Sequence, residues 1–164
     1  MSYSAKQLAL SYPDRSQEAL VEMILLNKVI SLKNFSKIIF NPELTVQEKR
    51  DIIATVFATN FSPNLINFLS FLLEENSLKD FNKILSEFKK ILKNNRIAIS
   101  GTVAAAQAIN ADEKEKLEQD LTTKIGMPVI LETVVKPTLL GGVILEVEGQ
   151  TYDNSFQYKL SKLK

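Results

Sequence analysis

The chain is predicted to be an α+β protein, with an N-terminal all-α helical bundle over residues 1–95 followed by a small C-terminal α+β domain over residues 96–164. Three observations carry this reading. Eight of the nine phenylalanines lie between Phe35 and Phe88, all five glycines lie from Gly101 onward, and the apolar spacing changes near residue 95. Before that point apolar residues recur three and four apart, which lines one face of a helix. After it they alternate, which lines one face of a strand.

Leu20 to Leu32 is apolar almost all round, interrupted by Glu22, Asn27, Lys28 and Ser31, as in a helix that sits mid-bundle or receives another helix. Thr45-x-x-Glu48 is a capping box that opens a helix to about Ala58. Ser62-Pro63 then places a capping hydroxyl and an N1 proline at the head of the next helix, where Leu65 to Leu73 leaves only a thin polar line through Asn64, Asn67, Ser70 and Glu74. Leu78, Phe81, Leu85, Phe88 and Leu92, widened by Ile84 and Ile91, form a core-facing stripe. Asn94-Asn95-Arg96 is the expected hinge.

Beyond the hinge, Ile97, Ile99 and Val103 suggest a strand. Asn110 and Glu113 bracket a helix start, and Leu117, Leu121 and Ile125 run down one narrow face until Gly126 stops the helix. Pro128–Val135 and Val143–Val147 are β-branched strands joined through Leu139-Leu140-Gly141-Gly142, with Gly141 and Gly142 expected as a turn of positive φ. Glu146 and Glu148 are expected on one solvated strand face. A short helix from Ser155 to Leu163 closes the module.

Composition removes whole reaction classes. Without histidine, cysteine or tryptophan the chain has no Ser-His-Asp triad, thiolate nucleophile, Cys/His zinc site or disulfide. Neither a catalytic residue nor a metal or cofactor site emerges from the pattern. No G-x-G-x-x-G occurs, and no glycine precedes Gly101 to build a phosphate loop. The carboxylates at Glu74-Glu75 and at Asp112, Glu113 and Glu115 fall at helix ends, where capping and the helix dipole favour them. Lys89, Lys90, Lys93 and Arg96 likewise cluster at a helix C-terminus, with only Phe88 nearby for stacking. Lys+Arg 20 against Asp+Glu 19 leaves +1, too weak a field for nucleic acid or an anionic membrane. Direct membrane insertion is not expected, because Leu65 to Leu73 is about half the length of a span. The first ten residues carry no export signature, so the cytoplasm is the default expectation. What remains is a non-catalytic adaptor, with a scaffold role in any of several assemblies left open.

Four ordered blocks narrow that choice. Asn41-Pro42-Glu43-Leu44-Thr45 with Glu48-Lys49, Asn67-Phe68-Leu69 through Leu72-Leu73-x-Glu75-Asn76, Pro137-x-Leu139-Leu140-Gly141-Gly142, and Asp153-x-Ser155 with Leu160 closely resemble the delta subunit family of bacterial F-type ATP synthase, to which the mitochondrial oligomycin-sensitivity-conferring protein is related. The resemblance implies a stator. One domain holds the N-terminal helix of an alpha subunit, and the other holds the peripheral-stalk b subunits. Proton flow is thereby coupled to ATP synthesis at the cytoplasmic face of the cell membrane, with no active site or cofactor in this subunit. The resemblance also implies a first helix, matched here by Ser4-Ala5-Lys6-Gln7-Leu8 and cut short by Pro13, and on it Leu8, Tyr12, Phe81, Leu85 and Phe88 are expected to line the alpha groove. Leu140, Val143, Leu145, Phe156, Leu160 and Leu163 are expected either to meet the b subunits or to complete the small core.

The polar segment Lys93-Asn94-Asn95-Arg96 is expected to open before either flanking core. Mild trypsin should release a stable N-terminal fragment ending near Lys93 or Arg96, and equal cutting throughout residues 20–92 would contradict the hinge.

Overall fold

The computed structural model describes residues 3–155 together with Tyr158 and Lys162. Phe156, Leu160 and Leu163, with most of the expected closing helix, lie outside the described residues. Two compact units divide between Asn94 and Asn95.

The first unit is helical: α1 (Ala5–Ser11), α2 (Gln17–Ser31), α3 (Lys33–Ile39), α4 (Val46–Phe57), α5 (Pro63–Glu74) and α6 (Phe81–Asn94). Local chemistry fixes most of the ends. Ser4 with Gln7, and Thr45 with Glu48, form reciprocal capping boxes at α1 and α4, and Ser16 and Ser62 cap α2 and α5. The Glu48 carboxylate is held below its ordinary pKa by accepting from the Thr45 backbone and hydroxyl. At the far end of α5, Ser77 N–H donates to the Leu72 carbonyl and Asn76 N–H to the Leu73 carbonyl. Asn76 takes φ 52° between them, so the helix closes in a Schellman motif with asparagine in the position glycine usually fills. Leu78 belongs to a short 3-10 turn, Leu78–Asp80, ahead of α6 rather than to the helix itself. The short α3 was not apparent from periodicity, since its seven residues complete barely two turns. The core gathers Leu8, Leu20, Met23, Leu26, Leu65, Leu69, Leu72, Phe81 and Phe88, all buried.

The second unit is a four-stranded sheet in the order β2-β1-β3-β4, formed by β1 (Ile99–Ala105), β2 (Val129–Val135), β3 (Val143–Val147) and β4 (Gln150–Asp153). β1 pairs parallel with β2 and antiparallel with β3, so Val103 faces Thr133 on one side and Leu145 on the other. The crossover between β1 and β2 is α7 (Ala111–Ile125), capped by Asn110 and Glu113 and ended by Gly126 at φ 73°. Leu121 of α7 meets Ile99, Val103, Val129, Leu131 and Val147 in one apolar core, with Leu117, Val143 and Leu145 packed around it. Ile125, expected on the same face, is exposed in the last turn of the helix. Helix α7 also protects the sheet edge. Thr122 Oγ1 accepts from Val129 N–H at 3.0 Å and Glu118 Oε1 from Leu131 N–H at 2.7 Å, which occupies two outward amides of β2.

One expectation changes here. Glu148 does not share a strand face with Glu146, because β3 ends at Val147 and Glu148 takes φ 57° beside Gly149 at φ 75°. Two consecutive positive φ values suit a two-residue hairpin turn, and that turn adds β4, a strand whose Gln-Thr-Tyr-Asp sequence carries little apolar alternation. Gly142 does take a positive φ, 79°, and a Cβ there would run into the Asn154 carbonyl oxygen and lie 2.9 Å from Ser155 Cα. The turn and the end of β4 are therefore packed against each other.

Gly142→Val combines an unfavourable φ with a backbone collision. It is expected to cost about 3 kcal/mol, lowering the melting of the sheet unit while helical unfolding stays in place. An unchanged calorimetric trace would contradict the close approach.

Candidate functional site

The five residues expected to line an alpha-binding groove lie inside the helical unit. Leu8, Tyr12, Phe81, Leu85 and Phe88 are all buried, the most exposed of them only 4%. They hold the helices together: the Tyr12 ring meets Phe68 edge-on at 5.0 Å and Phe88 at 5.5 Å, tying the end of α1 to α5 and α6. Helix α6 packs against α1 and α2, and its apolar residues Phe81, Ile84, Leu85, Phe88 and Leu92 are buried there as core.

An open surface lies beside α1. Ser11 and Pro13 on one side, and Asn64, Asn67, Phe68 and Phe71 of α5 on the other, enclose a depression of about 330 Å³. Residues 64, 67, 68 and 71 are spaced three, four and seven apart, the set a helix presents to a helix lying along it. Phe68 is the buried floor, Phe71 the half-buried wall, and the two asparagines the rim. Tyr3 adds a ring 6.4 Å from Phe71. A signal for this site was present in the sequence: the polar line begins with three uncharged residues, Asn64, Asn67 and Ser70, and meets a charge only at Glu74, whereas a solvated helix face normally carries Lys and Glu throughout.

Tyr12 supports the floor from below. Its hydroxyl is buried without a hydrogen bond of ordinary geometry. Burial pushes its pKa up to about 12; the nearby Ser62 hydroxyl opposes that shift and the Glu22 and Asp14 carboxylates add to it.

The sheet unit carries a second depression, of about 660 Å³, between the end of β1, the start of α7 and the Leu140–Val143 segment. Ile109, Leu117, Leu140 and Val143 give it an apolar surface, and Glu113, Lys116 and Asp120 edge it with charge. Leu140 is 74% exposed, which for a large aliphatic side chain marks a surface patch rather than a core position. Gly141 and Gly142 line the same depression. Of the residues expected to meet a stalk or complete the small core, Leu140 and Val143 line this depression, and Val143 and Leu145 pack against the sheet core.

Two of the candidate carboxylates have structural duties. Glu74 pairs with Arg50 of α4, and Glu113 accepts from the Asn110 backbone N–H at 3.2 Å. Lys90, in the basic run, pairs with Glu87 at 2.7 Å. Among the described residues no helix is long and apolar enough to cross a membrane.

Comparison with known proteins gives the family of the chain. The family model of the ATP synthase delta (OSCP) subunit matches residues 13–164. The ATP synthase subunit delta of Lactobacillus acidophilus is 32% identical over 145 residues, covering 87% of this chain and 79% of that protein. The subunit of the same name from Clostridioides difficile is 27% identical over 144 residues, covering 85% and 80%. Among solved structures, a chain of the Toxoplasma gondii mitochondrial ATP synthase hexamer superposes with a TM-score of 0.62 at 14% identity, covering 98% of this chain and 95% of that one, a likeness of fold.

Tyr12→Phe removes an unsatisfied buried hydroxyl and keeps the ring, so it is expected to stabilise the chain by about 1 kcal/mol. Because the folded pKa is raised, the neutral phenol's contribution is fully present below pH 10 and is lost as pH rises from 10 through about 12. Alkaline denaturant titrations should show that loss in the unaltered chain and a smaller one in the Phe variant. Equal slopes would contradict the burial of this hydroxyl.

Proposed function

The chain belongs to the ATP synthase delta (OSCP) subunit family, and from that premise we propose that it acts as the non-catalytic stator subunit joining the catalytic head of an F-type ATP synthase to its peripheral stalk. The observation that carries the reading is the pairing of two separate open apolar surfaces, one on each compact unit. A linker needs two such faces, and an enzyme needs a cluster of reacting groups. Here two of the candidate carboxylates, Glu74 and Glu113, are engaged in an ion pair and a helix cap.

In this proposal the N-terminal helix of an alpha subunit lies in the α1–α5 depression, with apolar residues three to four apart over Phe68 and Phe71 and its polar flank against Asn64 and Asn67. The b subunits meet the sheet unit at the depression bearing Leu140 and Val143. A stator transmits force without changing shape, which suits pre-formed contacts on capped helices and a paired sheet. The subunit then sits peripherally at the cytoplasmic face of the membrane, held there by the complex, and its rigidity lets proton flow drive ATP synthesis instead of turning the whole head.

Two single substitutions in the full chain separate the surfaces. Asn67→Trp fills the first depression from an exposed position and is expected to weaken binding of an alpha N-terminal peptide by about tenfold or more, with folding stability changed by less than about 0.5 kcal/mol. Leu140→Asp is expected to weaken binding of a C-terminal fragment from a b subunit to a similar degree and leave alpha binding intact. Calorimetric titration of both variants with both ligands checks the assignment, and a crossed pattern would reverse it.

A further inference from the structure

Glu22 makes a contact that neither the capping pattern nor the core explains. It lies on α2, yet both of its oxygens are spent on one residue at the head of α5. Oε1 accepts from the Ser62 backbone N–H at 2.8 Å, and Oε2 accepts from the Ser62 hydroxyl at 2.6 Å. Ser62 Oγ in turn accepts from Leu65 N–H at 3.4 Å, so the carboxylate is the outer link of the α5 cap. The serine alone meets the local need of that helix end. The added carboxylate does something different: it ties the start of α5 to a neighbouring helix, in a half-buried site where a charge-assisted hydrogen bond is strong and directional.

We propose that Glu22 is the positioning residue of the α1–α5 depression, pinning the head of α5 to the corner where α1 gives way to α2 and so setting the distance between the two walls. The tie stands directly next to those walls. Ser62 is two residues before Asn64, which lines the depression from α5. Tyr12 is flanked by Ser11 and Pro13, which line it from the α1 side, and the Glu22 charge acts on Tyr12 itself. A shift of Ser62 relative to Tyr12 therefore passes straight into the width of the opening, while the Tyr12–Phe68 contact holds the floor. The proposal rests on the reading of this depression as the alpha-subunit site.

The test uses the full chain and a synthetic peptide of the alpha N-terminal helix, at a temperature where circular dichroism shows every variant folded. Glu22→Ala is expected to weaken peptide binding about tenfold, whereas Glu22→Gln, whose carbonyl still accepts from Ser62 N–H and whose amide donates to Ser62 Oγ, stays within about threefold of the unaltered chain. Amide exchange at Ser62 and Leu65 should quicken in Glu22→Ala while that of Phe88 and Leu92 does not, a local loosening that general destabilisation would not give. Unchanged peptide affinity in Glu22→Ala despite faster exchange at Leu65 would overturn the positioning role and leave the site reading standing. Failure of the unaltered chain to bind the peptide would overturn the site reading, and the proposal with it.

Discussion

Tyr12 meets two phenylalanines edge-on, Phe68 of α5 and Phe88 of α6, and the helical unit is organised around that contact. Edge-to-face packing directs ring hydrogens at a π face, so it fixes orientation as well as proximity. It has a cost, since the Tyr12 hydroxyl is buried without a hydrogen bond of ordinary geometry. In return the short α1, ended before Pro13, is held against both α5 and α6 by one side chain at its C-terminal end. With α1 packed against α6, its C-terminal end and α5 are left to frame an open surface. The position of this open face follows from where the core closes.

The sheet unit solves a different problem with few residues. β1 runs through the middle of the sheet and must accept partners on both sides, parallel to β2 and antiparallel to β3. Gly101 lets that happen, because a Cβ there would lie 2.6 Å from Val147 Cγ2 and 2.9 Å from the Glu146 carbonyl oxygen. The connection from β2 to β3 must pass across β1, and the Leu139-Leu140-Gly141-Gly142 segment does this with Gly142 lodged against Asn154 and Ser155. Leu140 is left standing out from the surface by that path. One loop thus closes the module and supplies the most apolar point of its exposed face.

The helical and α+β halves were legible because their signals are local. The capping pairs Ser62-Pro63, Thr45 with Glu48, and Asn110 with Glu113 each act within a single turn and were found where the sequence placed them. β4 was not legible, because Gln150–Asp153 becomes a strand through the turn at Glu148-Gly149 and the pairing it imposes, not through its own alternation. The burial of the five residues expected at the alpha groove was not legible for a related reason. Periodicity shows that Phe81, Leu85 and Phe88 share a face of α6, but a core face and a docking face have the same spacing. What separates them is which neighbour covers the face, a tertiary fact. The Glu22–Ser62 tie spans forty positions and has no sequence signature at all.

The central claim is that one chain holds two partners at once on two separate units. Sedimentation velocity of the full chain with an alpha N-terminal peptide and a C-terminal fragment from a b subunit tests it most directly, with each ligand labelled in its own absorption band. The account predicts a single boundary carrying both labels, and an affinity for either ligand that stays within about twofold when the other is saturating, since independent sites have no coupling energy. Boundaries that carry one label or the other but never both would show that the partners compete for one surface, and the chain would then not be the link proposed here.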